Sequence, residues 1–113
     1  MRLLSISAML VLCANIVLAH SPLDATAPED GASLSATPAE ITISFKRNLR
    51  MTRVNWSRGD GASGVLDLGE QTSFATVFML PFDASGSGTY MIEWRGLGDD
   101  GHPQTGTFSF VVE

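Results

Sequence analysis

Thr89-Tyr90-Met91-Ile92-Glu93-Trp94-Arg95 alternates large apolar side chains with polar ones. Tyr90, Ile92 and Trp94 share one phase, Thr89, Glu93 and Arg95 the other, and Met91 is the exception. Successive side chains of a β-strand point to opposite faces. This stretch therefore predicts a strand with one face against a core.

The same period of two recurs on both sides of it. Ile41, Ile43 and Phe45 alternate with Thr42 and Ser44, and Val54 and Trp56 with Arg53, Asn55 and Ser57. Phe108, Phe110 and Val112 alternate with Thr107 and Ser109. Phe74, Thr76 and Phe78 oppose Ala75 and Val77, so both faces there are fairly apolar. Turn chemistry separates the runs: Pro28-Glu29-Asp30-Gly31, Gly59-Asp60-Gly61, Gly86-Ser87-Gly88 and Asp99-Asp100-Gly101. Further strands are expected near residues 23–27 and 64–68. About seven short strands with no helical periodicity predict an all-β fold, a two-sheet β-sandwich with Greek-key connections. The Gly/Ser segments at 57–64 and 84–88 read as loops inside one domain, and no internal repeat is present.

The first nineteen residues have the three parts of a signal peptide. Arg2 supplies the positive start, residues 3–18 are mostly apolar, and Val17-Leu18-Ala19 suits signal peptidase. The expected cut lies between Ala19 and His20. The rival reading is a membrane anchor, but the apolar run is at the short limit for a span and Asn15 interrupts it. Removing 19 of 113 residues leaves 94, one domain spanning 20–113. Arg2 leaves with the leader, so six Lys and Arg face twelve acids, a side-chain charge of −6. That balance argues against nucleic acid and anionic membranes as partners. Cys13, the only cysteine, also leaves. Disulfides, thiol redox chemistry, cysteine hydrolysis and thiolate metal sites are thereby excluded. Any metal is left to nitrogen, oxygen or thioether donors.

Cleavage after Ala19 would make His20 the first residue, with a free α-amine. Amine and imidazole Nδ1 of such a residue can chelate a metal together. The other N-terminal copper motif needs histidine third and uses intervening amides. Here the third residue would be Pro22, which has no N–H. Taken alone, His20 is better explained by an ordinary frayed terminus. The only other histidine, His102, follows Asp100 by two positions. In an extended segment those side chains project to one side. Gly101 keeps the backbone permissive and Pro103 biases His102 away from helix. Taken alone, this motif is better read as an exposed histidine on an ordinary Asp-Gly turn.

The run Gly88-Thr89-Tyr90-Met91-Ile92-Glu93-Trp94-Arg95, through Asp100-Gly101-His102-Pro103 to Gly106-Thr107-Phe108-Ser109-Phe110, closely resembles the last third of the CopC family of copper-resistance proteins. Ala27-Pro28-Glu29-Asp30-Gly31, Pro38-Ala39-Glu40-Ile41, Phe45 and Asn48-Leu49 follow the same pattern in order. The resemblance implies a cupredoxin-like or immunoglobulin-like sandwich in the periplasm. It also implies one copper(II) ion held by His20, Asp100 and His102, with Asp99 the less suitable carboxylate.

Two departures from the family pattern stand out. Arg47 occupies a place where family members often carry an acidic residue near the copper; it would oppose the metal if turned inward, or pair with Asp100 or Asp99. The stretch 57–72, which holds copper(I)-binding methionines in some members, has none. Met51, Met79 and Met91 are expected to be packing residues, so no separate copper(I) site is expected.

Nitrogen and oxygen donors favour copper(II), which tops the divalent affinity series. They coordinate as free bases, so binding should weaken as pH falls through the range where imidazoles and α-amines protonate. The expected function is a soluble, monomeric periplasmic copper(II)-binding protein for copper resistance and homeostasis. It would sequester copper or pass it to a CopD-like inner-membrane importer, and is not an enzyme. A metal-free immunoglobulin-like interaction module is the alternative. A copper-dependent oxidative enzyme is a third reading, disfavoured because Asp100 would fill a coordination position and both tryptophans fall on core positions.

Overall fold

The computed structural model describes residues 22–113. The leader, the cut after Ala19 and His20 lie outside the described residues. Seven strands follow in order: β1 (Leu23–Ala27), β2 (Ala32–Leu34), β3 (Glu40–Arg58), β4 (Ser63–Val65), β5 (Ala75–Pro81), β6 (Gly88–Gly98) and β7 (Pro103–Val112). Among the described residues there is no helix, so none is long and apolar enough to cross a membrane.

β3 organises the sandwich. Its first half pairs antiparallel with β1 and β5, its second half with β6 and β4. β6 continues to β7, and β7 pairs in parallel with β2. The strand thus belongs to both layers, and the passage falls between Ser44 and Leu49. There the partners on β5 are Val77 and Ala75, so four residues of β3 oppose one of β5. Phe45 stays buried while Lys46, Arg47 and Asn48 loop outward. A second irregularity sits at Thr52, between the pairs Met51↔Gly96 and Arg53↔Arg95. This β-bulge shifts the side-chain phase by one. Ile41, Ile43, Phe45, Leu49 and Met51 face inward before it, and Val54 after it.

The sequence predicted two strands, near 41–45 and 53–57, where one nineteen-residue strand runs. β2, only three residues long and without a period to read, was not expected. The expected strand near 64–68 is the short β4.

The core has two aromatic groups. Phe45 meets Trp94 edge-on at 4.9 Å and Phe78 at 5.9 Å between ring centroids. Toward the other end, Phe82 packs edge-on against Tyr90 and Phe110, which stack on each other at 5.3 Å. Half-buried Trp56 closes that group against Phe82 and Tyr90. Edge-to-face and offset arrangements are those the ring quadrupole favours. Each buried Phe, Ile or Leu contributes about 1.5–3 kcal/mol. Among the described residues no charged side chain is buried, so the fold rests on this apolar contact.

The Tyr90 end carries a latch. Tyr90 Oη donates to the Gly86 carbonyl at 2.7 Å. Arg58 donates to Asp60 at 2.8 Å, to the Ser85 carbonyl and to Tyr90 Oη, and its guanidinium lies 5.8 Å from the Tyr90 ring centre. The Arg58 side chain occupies the space that a Cβ on Gly86 or Gly88 would enter. A tyrosine hydroxyl tying a preceding loop back to the strand is a recurrent device of immunoglobulin-like sandwiches.

Of the three methionines expected to pack, only Met51 does so. Met79 is 55% exposed and Met91 49%. The alternation explains both. Phe78 and Leu80 point inward, so Met79 points out; Tyr90 and Ile92 point inward, so Met91 also points out.

Candidate metal centre

The turn between β6 and β7 presents the two site residues that lie within the described chain. Gly101 N–H donates to the Gly98 carbonyl and Gly98 N–H to the His102 carbonyl, each at 2.9 Å. Gly101 has φ +82°, the left-handed region that glycine enters without steric penalty. This geometry turns Asp100 and His102 to the same side. The Asp100 carboxylate accepts the His102 backbone N–H at 3.0 Å through Oδ1, and Oδ2 stands 2.9 Å from His102 Nδ1. The His102 N–H, followed by its imidazole, holds the Asp100 carboxyl below its ordinary value of 3.8. Both side chains are open to solvent, 61% exposed for Asp100 and 80% for His102.

Contact between Asp100 and Nδ1 has a chemical consequence. A carboxylate accepting from Nδ1–H selects the tautomer whose Nε2 lone pair is free. That leaves His102 Nε2 available as a donor. For Asp100 to become a ligand as well, it must turn away from Nδ1. An exposed ion pair of this kind is worth about 0–1 kcal/mol, so a metal–oxygen bond readily replaces it.

Beside the turn lies an open cavity of about 670 Å³, lined by Pro22, Lys46, Arg47, Asn48, Gly98, Asp99, Asp100 and Gln104. The fold makes it. Leu49 pairs with Gly98, which sets the outward loop of β3 directly against the β6–β7 turn. Pro22 joins through its carbonyl, which accepts the Lys46 N–H at 2.9 Å. Gly98 forms the floor: a Cβ there would stand 2.7 Å from Gln104 Nε2 and 2.9 Å from Asp100 Oδ1.

Of the predicted site residues, Asp100 and His102 are together on one turn. His20 lies outside the described residues, and Pro22, two residues after it, is at the cavity. Arg47 shares the cavity with Asp99 and Asp100 but forms no ion pair among the described residues; Asp100 contacts His102 instead. Among the described residues no group of three or more His, Cys, Asp or Glu converges as a metal cage. Asp100 and His102 present one oxygen and one nitrogen donor, types that copper(II) accepts. Lys46, Asn48 and Gln104 are cavity residues that sequence reasoning did not single out. The register jump in β3 brings Lys46 and Asn48 there, and Gln104 stands at the start of β7.

Comparison with known proteins agrees with this architecture. Residues 23–113 match the family described as the CopC domain. Copper resistance protein C of Xanthomonas campestris pv. juglandis is 28% identical over 104 residues, covering 84% of this chain and 81% of that protein. The protein of that name from Pseudomonas syringae pv. tomato is 27% identical over 115 residues, covering 91% and 88%. Among solved structures, CopC from Methylosinus trichosporium OB3b superposes with a TM-score of 0.64 at 21% identity, over 83% of this chain and 94% of that one. PcoC, a methionine-rich copper resistance protein from Escherichia coli, gives 0.59 at 24% identity, over 84% and 100%. The match over nearly the whole described chain, on a sandwich of the same fold, makes this protein a member of the CopC family.

Proposed function

We propose that this protein is a periplasmic copper(II)-binding protein that serves copper resistance and homeostasis. A signal peptide of residues 1–19 takes it across the membrane and is cut off. The mature domain, 20–113, binds one copper(II) per chain through the amine and imidazole of His20, Asp100 and His102. The observation that carries this reading is the placement of Asp100 and His102 on one turn beside a cavity that Pro22 lines. Two extended residues span at most about 7 Å, so a terminus at His20 begins near the cavity that Pro22 and Asp100 line. Relatives named copper resistance protein C support the choice of metal.

The copper is cargo. The domain holds it on an exposed turn, from which a CopD-like membrane importer could take it up, or it sequesters the ion as a monomer.

Calorimetric titration of copper(II) into the mature domain tests the reading. Replacing His102 with Ala should weaken binding by more than about 100-fold, since even outer-sphere partners of metal ligands contribute 10–100-fold. Unchanged affinity in His102→Ala would refute this ligand set, and absence of copper binding in the native domain would favour the metal-free interaction module.

A further inference from the structure

The cavity beside the turn holds more positive charge than its aspartates offset once a metal is present. Lys46 and Arg47 line it together with Asp99 and Asp100. Neither cation is in an ion pair among the described residues, although two carboxylates share the same cavity. Asp100 is committed to His102 through both of its oxygens. A copper(II) ion on this turn would leave the two side-chain cations and the dication facing two aspartates, an excess of two positive charges. The remaining lining groups, Asn48 and Gln104, are neutral amides that can donate hydrogen bonds.

Resting on the copper reading above, we propose that the cavity is an anion subsite which binds a small free carboxylate together with copper. Arg47 presents a planar fork that matches a carboxylate, and Lys46 adds a point charge. The anion adds an oxygen donor on the side of the metal that faces these two residues. Cation pair and metal thus cooperate: each is stabilised by the charge the anion brings. No bond within the protein breaks, and no electron moves. The site therefore takes copper best from a medium containing small organic acids.

The test uses acetate as the probe and the mature domain beginning at His20. Copper affinity is measured with and without acetate, with sodium perchlorate holding ionic strength equal and with copper–acetate complexes in solution accounted for. At ten times its own dissociation constant, an anion that binds only the copper-loaded form raises apparent copper affinity about tenfold. The electron paramagnetic resonance spectrum of bound copper should shift with acetate in the native protein. It should not shift in the double variant Lys46→Ala/Arg47→Ala, whose exposed positions leave the fold intact, as circular dichroism would verify. Arg47→Glu, which brings its own carboxylate, should bind copper more tightly than the native protein without acetate and lose the acetate response. Copper binding that is the same with and without acetate overturns this inference alone. Failure to bind copper in every arm overturns the copper reading and this inference with it.

Discussion

Trp94 and Gly106 face each other across the β6–β7 pair, and the indole lies where a side chain on residue 106 would stand. A Cβ at Gly106 would come within 2.5 Å of Trp94 Cζ2. Trp94 is 1% exposed and wedged edge-on against Phe45, so it has no room to yield. Its Nε1–H has no hydrogen-bond partner among the described residues, a cost the fold carries to keep the ring there.

Gly106→Ala should therefore destabilise the domain by about 1–3 kcal/mol, the range for overpacking a filled core. Urea denaturation measures it. A change of less than about 0.5 kcal/mol, as for an unremarkable surface position, would show that the ring is free to move.

Gly98→Ala should behave in the opposite way. The atoms its Cβ would meet are the ends of Gln104 and Asp100, both flexible. Stability should change little, within about 0.5 kcal/mol, while copper affinity falls because Asp100 is pushed off the floor of the cavity. Lost stability with intact copper binding would place the strain elsewhere.

At the far end of the sandwich, the Asp60 carboxyl is held below its ordinary value of 3.8, first by the Arg58 side chain and then by the Ala62 N–H. A carboxyl lowered in the folded state binds its proton more weakly than in the unfolded chain. Its contribution is present above the unfolded value and is lost as pH falls through the lower folded one. The stability difference between the native protein and Asp60→Asn should therefore be steady near neutrality and shrink below about pH 4, the unfolded carboxyl range. A difference that stayed constant down to pH 2 would show that the pair does no linked work.

Gln71 guards an edge. Among the described residues β5 pairs only with β3, so no described strand covers its other side. The Gln71 side chain donates to the Met79 carbonyl at 3.0 Å and accepts its N–H at 3.3 Å, as a neighbouring strand would. Val77 and Met79 are exposed on this uncharged strand, the composition that invites edge-to-edge association. Gln71→Ala should cost roughly 1 kcal/mol for the lost bonds and raise concentration-dependent aggregation. Light scattering at matched folded fraction would follow it, and unchanged scattering would contradict the guarding role.

Much of the sandwich was legible in the alternation, because one buried face imposes a period of two. β3 was not legible as one strand because the bulge at Thr52 shifts the phase, from Ile43, Phe45, Leu49 and Met51 to Val54 and Trp56. Such a shift looks the same as a break. The outward Met79 and Met91 were legible in principle, since each sits between two inward residues. At the site, Asp100 and His102 were legible because a single turn sets their relation. The cavity was not: Lys46 and Arg47 reach it through a register jump that leaves no local mark. Nor was the Arg58–Tyr90–Gly86 latch, whose parts are 32 and 4 positions apart. Gly86-Ser87-Gly88 shortly before a tyrosine was its one visible hint.

The central claim is that copper is held by a terminus created at His20, together with Asp100 and His102. The most direct measurement titrates copper(II) into two forms of the domain, one beginning at His20 and one carrying a single extra residue in front of it. The account predicts tight one-to-one binding in the first and severe weakening in the second, because the extension turns the chelating amine into an amide. Equal affinity in the two forms would contradict it.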